Sequence, residues 1–233
     1  MEHEPFTWAS LVPGLGSLPP HVSNGIIVSV VLLVIVLLGY MQLRKGKDDV
    51  VPEEKLTFRS FLELLIETIS GLVEETMGPR GKEFTLIIGT LGLFILFNNL
   101  SGLVPGFSPA TDNINTTFAC SLTVFVLTHY YGIREHGIKY VKHFMGPIWW
   151  LAPIMIPIEI IGHLSRPLSL GLRLFGNIMG DHLVTSIFFM LIPLFVPLIG
   201  MFLGTFVALV QAFVFVLLSM AYFSGAIAHE EHS

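Results

Sequence analysis

The chain has 233 residues, of which 53% are hydrophobic and only 12% charged, and its mean hydropathy is +0.76. Charged residues are about half as common as in soluble domains, which excludes a soluble globular enzyme and a disordered chain. With 12 basic against 17 acidic residues a nucleic-acid binder is excluded too. An integral membrane protein remains, and its one cysteine, Cys120, excludes an internal disulfide framework.

The acidic start, Met1-Glu2-His3-Glu4, lacks the basic n-region of a secretory signal, so the first apolar run, Ile26 to Leu38, is expected to be a retained anchor. A hydrocarbon core takes about 20 mostly apolar residues per helix. On that measure the sequence predicts membrane helices at residues 23–43, 84–104 and 114–131. The stretch from Ile148 to Ala228 is too long for one helix. Pro193 and Pro197 mark a turn within it, giving two long helices, 148–192 and 197–227, in a hairpin. The expected fold is all-α, a single polytopic membrane domain with about five membrane helices.

Residues 56–78 differ. Phe58, Phe61, Leu62, Leu65, Ile66, Ile69, Leu72, Val73 and Met77 recur at helical spacing, with Glu63, Glu67, Glu74 and Glu75 between them, and Gly78-Pro79 ends the run. This predicts an amphipathic helix at the cytoplasmic surface. Its acidic polar face is wrong for anionic lipid. It either packs on the membrane side of its own protein or docks a partner.

The basic residues orient the chain. Arg44, Lys45, Lys47, Lys55 and Arg59 follow the first span, Arg80 and Lys82 precede the second, and Arg134, Lys139 and Lys142 follow the third. None lies in residues 1–43 or 105–113. By the positive-inside rule these ten are cytoplasmic and the N-terminus is outside. Five spans then put the C-terminus in the cytoplasm.

Arg166 and Arg173 are the other two, and both fall in the long apolar stretch. A charge at the bilayer centre costs at least about 2.5–3.5 kcal/mol on insertion scales, so such residues face a bundle interior or water and mark function. Arg166 either snorkels or pairs with Glu159. Arg173, within Leu170-Gly171-Leu172-Arg173-Leu174-Phe175-Gly176-Asn177, has no evident escape to water. At about 100° per residue, Glu159, His163, Arg166, Ser169, Arg173, Asn177 and Asp181 share about a third of the helix circumference, while His182 points the opposite way. That stripe runs about 33 Å at 1.5 Å per residue, the depth of a hydrocarbon core. Glu159 and His163 lie toward the cytoplasm, and Asn177, Asp181 and His182 toward the outside. Carboxylates and imidazoles can exchange protons near neutral pH once shifted. Arginine cannot lose its proton. An obligate cation between two relays breaks a proton wire.

Around these residues the sequence resembles subunit a of the rotary, F-type ATP synthases. The likeness runs through Ser165-Arg166-Pro167-Leu168-Ser169-Leu170-Gly171-Leu172-Arg173-Leu174-Phe175-Gly176-Asn177, and through Leu209-Val210-Gln211-Ala212-Phe213-Val214-Phe215 on the last helix. Asp112-Asn113-Ile114-Asn115-Thr116-Thr117 and Pro157-Ile158-Glu159 also look like that family. The resemblance implies a stator proton-channel subunit in a bacterial plasma (inner) membrane. It implies a c-subunit ring, b-type peripheral-stalk subunits and, indirectly, the catalytic sector as partners. Arg173 would be the cation facing the ring, with Asn177, Asp181, His182 and Gln211 in the outer half-channel, Glu159 and His163 in the cytoplasmic one, and Arg166, Ser169 and Asp112 supporting. Some relatives carry a histidine seven residues before the glutamine, where this chain has Gly204; Asp181 or an ordered water would take its place.

No G-x-x-x-x-G-K-[ST] occurs, so neither nucleotide binding nor a catalytic site is expected in this chain, and no cofactor or metal. The tail His229-Glu230-Glu231-His232 spaces its histidines by three, not the four of a zinc protease. His129, His136 and His143 recur every seven residues and read as interfacial, as do Trp149 and Trp150. Asn98 and Asn99 either line an inlet or serve helix contact. Two rival functions are a self-contained secondary transporter, which needs internal repeats that the sequence lacks, and a non-transporting scaffold with the polar stripe as helix glue.

Overall fold

The computed structural model describes residues 8, 14–45, 57–104, 106–137, 140, 152–191 and 196–227. Met1 to Glu4, Lys47, Lys55, Lys139, Lys142, His143, Trp149, Trp150, Pro193 and the tail from His229 to His232 lie outside them. Among the described residues all regular structure is helical, the architecture of an all-α polytopic membrane protein. In chain order the helices are α1 (Pro20–Lys45), α2 (Phe58–Met77), α3 (Thr85–Ser101), α4 (Ile114–His136), α5 (Ala152–Leu191) and α6 (Val196–Ile227). Short 3-10 turns at Pro79–Phe84 and Ala110–Asp112 precede α3 and α4.

Among the described residues three helices are long and apolar enough to cross a membrane by themselves: Pro20–Gln42, Pro79–Ser101 and Leu198–Ile227. Most apolar side chains of α1 stay uncovered, Leu33 at 60% and Val36 at 58% exposure, as expected when the surrounding solvent is hydrocarbon. Helices α4 and α5 have 23 and 40 residues, about 34 and 60 Å at 1.5 Å per residue. Their hydropathy is diluted by the polar residues that make them of interest.

The chain divides into two compact units, Met1–Ala110 and Thr111–Ser233. In the first, α1, α2 and α3 pack on one another. Helix α2 uses one side of its stripe for this. Leu62 lies against Gly39 of α1, Ile69 against Gly89 of α3, and Val73 and Met77 are buried. Phe58, Phe61 and Ile66 remain exposed, so the unit covers only part of the apolar face. The helix stops at Gly78, whose φ of +72° is left-handed and whose N–H donates to the Glu74 carbonyl at 2.8 Å; Pro79 then opens the 3-10 turn. Near the other end Asn24 is buried and its Nδ2 donates to the Ser108 carbonyl at 2.6 Å, holding the loop before α4 to α1. Asn98 is buried and its Nδ2 donates to its own helix, at the Phe94 carbonyl, at 2.8 Å.

In the second unit α4, α5 and α6 pack on one another. Asn113 caps α4, its side chain accepting from the Asn115 N–H at 2.9 Å. Gly171 lets α5 approach α4 closely, because a Cβ there would stand 2.9 Å from Ser121 Oγ and 3.3 Å from the Phe118 ring. The buried row of α5 is His163, Pro167, Leu170, Leu174 and Ile178, and that of α6 is Ala208, Gln211, Phe215, Ser219 and Phe223. Both recur at three- and four-residue intervals, the period of a helix–helix seam.

Candidate functional site

The buried row of α5 does not coincide with its polar stripe. Leu170 and Leu174, at the centre of the buried row, stand about 60° and 100° from Arg173 around the helix. His163 is buried at 9% exposure, Glu159, Arg166 and Asp181 are half-buried, and Ser169, Arg173 and Asn177 are exposed. The stripe therefore lies along one flank of the bundle: its early part turns in toward α4, and its middle faces outward.

Arg173 is on that outward part. Among the described residues its guanidinium makes no hydrogen bond or ion pair. Around it the helix is small. Gly162, Gly176 and Gly180 have open space where a Cβ would be, and Ser165 and Ser169 are exposed on the same side. Just beyond Arg173, Asn177 Nδ2 donates to Oε1 of Gln211, which is buried on α6 at 3% exposure.

On the early side of Arg173, Glu159 and His163 pair one helical turn apart, Oε1 to Nε2 at 3.2 Å. Arg166 does not pair with Glu159, as one reading of the sequence had it. Its guanidinium lies over the Tyr222 ring of α6, 5.7 Å from the centroid, and the imidazole has taken the carboxylate. Ten residues, about 15 Å along the helix, separate His163 from Arg173.

On the late side, His182 Nδ1 stands 3.3 Å from Asp112 Oδ2. Both line an open cleft of about 530 Å³ with Asn113, Phe175, Met179 and Ser186. Asp112 gives His182 a titratable neighbour from the turn before α4, where Gly204 supplies none. Asp181 stands next to His182 on α5 and makes no hydrogen bond or ion pair among the described residues. The helical wheel already turned His182 away from the stripe; only the fold reveals what it turns toward. Nine residues, about 13.5 Å, separate it from Arg173.

An imidazole–carboxylate pair thus lies on either side of an outward-facing cation in an all-α membrane protein, one pair within α5 and the other between α5 and the turn before α4. Such an arrangement belongs to the class of membrane proteins that handle ions. The ATP synthase A chain family model matches residues 25–224. ATP synthase subunit a 2 of Syntrophotalea carbinolica is 50% identical over 84% of this chain and 82% of its own. ATP synthase subunit a of Geobacter sulfurreducens is 57% identical over 72% and 74%, and that of Bdellovibrio bacteriovorus 46% identical over 97% and 99%. The chain belongs to the ATP synthase A chain family.

Proposed function

We propose that the chain is the stator proton channel of an ATP synthase membrane sector, with two offset half-channels meeting a ring of c subunits at Arg173. The observation that carries this is the guanidinium itself, exposed, without a partner among the described residues and bordered by glycines and serines. A permanent charge at mid-depth is too costly for helix glue. Small residues let a second helix approach closely, and a carboxylate on that helix would meet the cation.

In this reading a proton arrives from outside through the cleft at Asp112 and His182 and neutralises a ring carboxylate. The neutral site can pass into lipid, because the desolvation cost of a carboxylate falls away with its charge. After nearly a full turn it reaches the other path and releases its proton toward Glu159 and His163. Arg173 favours the ionised carboxylate between the two by opposite charge and denies protons a direct passage. Asn177 and Gln211 fix the helix pair beside it, with Asp181, Arg166 and Ser169 in support. Neither path crosses the membrane alone, so flow needs rotation. Each charge delivers about 2.3 kcal/mol per 100 mV. Bond making at phosphate then belongs to the catalytic sector, and this chain provides no catalytic site. The basic loops support an N-terminus outside a bacterial inner membrane, five spans then give a cytoplasmic C-terminus, and b-type stalk subunits hold the stator.

The test is Arg173→Ala in the assembled complex. ATP-driven proton pumping should be abolished, and a cysteine at 173 should crosslink to one near the ring carboxylate. Normal pumping by the alanine variant overturns the reading. A secondary transporter would instead move ions as the purified chain in liposomes, where this chain should do nothing alone.

A further inference from the structure

We propose that His129 of α4 is a third proton-carrying group of the path on the Glu159 side of Arg173. This rests on the channel reading above and adds to it a residue from a different helix. The ring of His129 lies against that of His163, centroids 5.2 Å apart and inclined by 67°. His163 in turn meets Glu159 at 3.2 Å. Three titratable side chains from two helices are therefore contiguous, where the sequence offered only a pair on one helix and an apparently interfacial histidine.

The chemistry of His129 is set by its own helix. Its Nδ1 lies 2.9 Å from the Phe125 carbonyl oxygen. A carbonyl can only accept, so Nδ1 carries the hydrogen and Nε2 is the atom that gains and loses a proton. Beside the ring a cavity of about 10 Å³, the room taken by about one water, is lined by His129, His163, Thr128, Ser121, Arg166 and Tyr222 together with apolar side chains such as Val124 and Leu170. The charged and titratable groups facing His129 are His163, Glu159 and Arg166 from α5, Tyr222 from α6, and Tyr140, whose ring stands edge-on at 5.9 Å.

In the step itself a proton leaves the Glu159–His163 pair and binds Nε2 of neutral His129. The ring becomes an imidazolium, still bonded through Nδ1–H to the carbonyl. Nε2 then yields the proton to water toward the C-terminal end of α4, seven residues and about 10 Å away. Only N–H and O–H bonds change, and His129 ends as it began.

The experiment uses the whole ATP synthase in inverted membrane vesicles and follows ATP-driven acidification across a range of pH. His129→Gln keeps an amide donor for the Phe125 carbonyl but cannot accept a proton. It should assemble normally, pump at least fivefold more slowly, and lose one titrating limb of the rate–pH profile. Pumping at the unaltered rate and profile overturns the inference. So does a slower rate whose profile keeps its shape, because that is what a packing role would give. If the glutamine variant does not assemble, His129→Ala with added imidazole decides: recovery of rate supports the relay, and no recovery refutes it. Arg173→Ala, measured alongside, separates the two levels. Normal pumping there removes the channel reading itself; pumping lost there but unchanged in His129→Gln removes only His129.

Discussion

Asp112 and His182 are 70 residues apart in the chain and 3.3 Å apart in space, joined through Oδ2 and Nδ1 at the mouth of an open cleft. A carboxylate this close to a ring nitrogen fixes the orientation of the imidazole. The two should therefore act as one unit in proton loading. Asp112→Asn is expected to slow ATP-driven acidification of vesicles several-fold, and His182→Gln likewise. The double variant should be no slower than the slower single one, because removing either partner already breaks the unit. Rates that multiply would mean that the two act separately.

The open face of α5 gives a prediction in which folding and function part ways. A side chain at Gly176 would meet nothing within 4 Å. Gly176→Leu also replaces a poor helix former with a good one. The subunit should therefore accumulate in the membrane at its usual level. Coupled pumping should nevertheless be lost, because leucine would hold the ring helix away from Arg173. An immunoblot of membranes beside an acidification assay checks both halves. A variant that pumps normally would mean that no helix approaches there.

How much of this was legible in the sequence depends on the kind of information needed. The all-α membrane class follows from apolar runs and sparse charge, and the family from the long motif around Arg173. The angular positions of residues on one helix follow from the 3.6-residue period. What periodicity leaves open is which flank of a helix its neighbours cover. The wheel grouped Glu159, His163, Arg173 and Asn177, yet His163 is buried and Arg173 exposed, because the packed row centres on Leu170 and Leu174. Pairings between distant segments were equally invisible. Nothing in the spacing of His129, His136 and His143 distinguishes the first from the others; its contact with His163 exists only once α4 lies on α5. Asp112 was in view as part of a family motif, but its partner was not.

Gly171 sets the distance between α4 and α5. A Cβ at this position would stand 2.9 Å from Ser121 Oγ and 3.3 Å from the Phe118 ring. Alanine is accommodated only if Ser121 turns, and a β-branched side chain leaves no such way out. Gly171→Val should destabilise the packed helices by about 1–3 kcal/mol, the usual range for overpacking. Unfolding of the detergent-solubilised chain by SDS would register it. Ser121→Ala should soften the effect of Gly171→Ala, and an undiminished effect would place the obstruction at Phe118.

The bond from Asn177 Nδ2 to Gln211 Oε1 joins the exposed flank of α5 to the buried row of α6. Hydrogen bonds between membrane helices average about 0.6 kcal/mol and reach about 1.7 kcal/mol. Gln211→Leu and Asn177→Leu should each weaken the helix pair, with a coupling energy in that range from the double-mutant cycle. The functional cost should be larger than the stability cost. Asn177 lies four residues from Arg173 on the same flank, so releasing it lets that flank rotate or part from α6 and misaligns the cation. Pumping is therefore expected to fall more than tenfold in Gln211→Leu while the SDS midpoint of the solubilised chain shifts only slightly. Glutamate at 211 separates the two contributions. Gln211→Glu retains the acceptor for Asn177 and so the helix contact, but it puts a carboxylate on the neighbouring helix within the reach of a long guanidinium. Stability close to that of the unaltered chain together with lost pumping would show that Arg173 must stay free to act. Normal pumping would instead put Gln211 beyond the cation's field and confine it to a packing role.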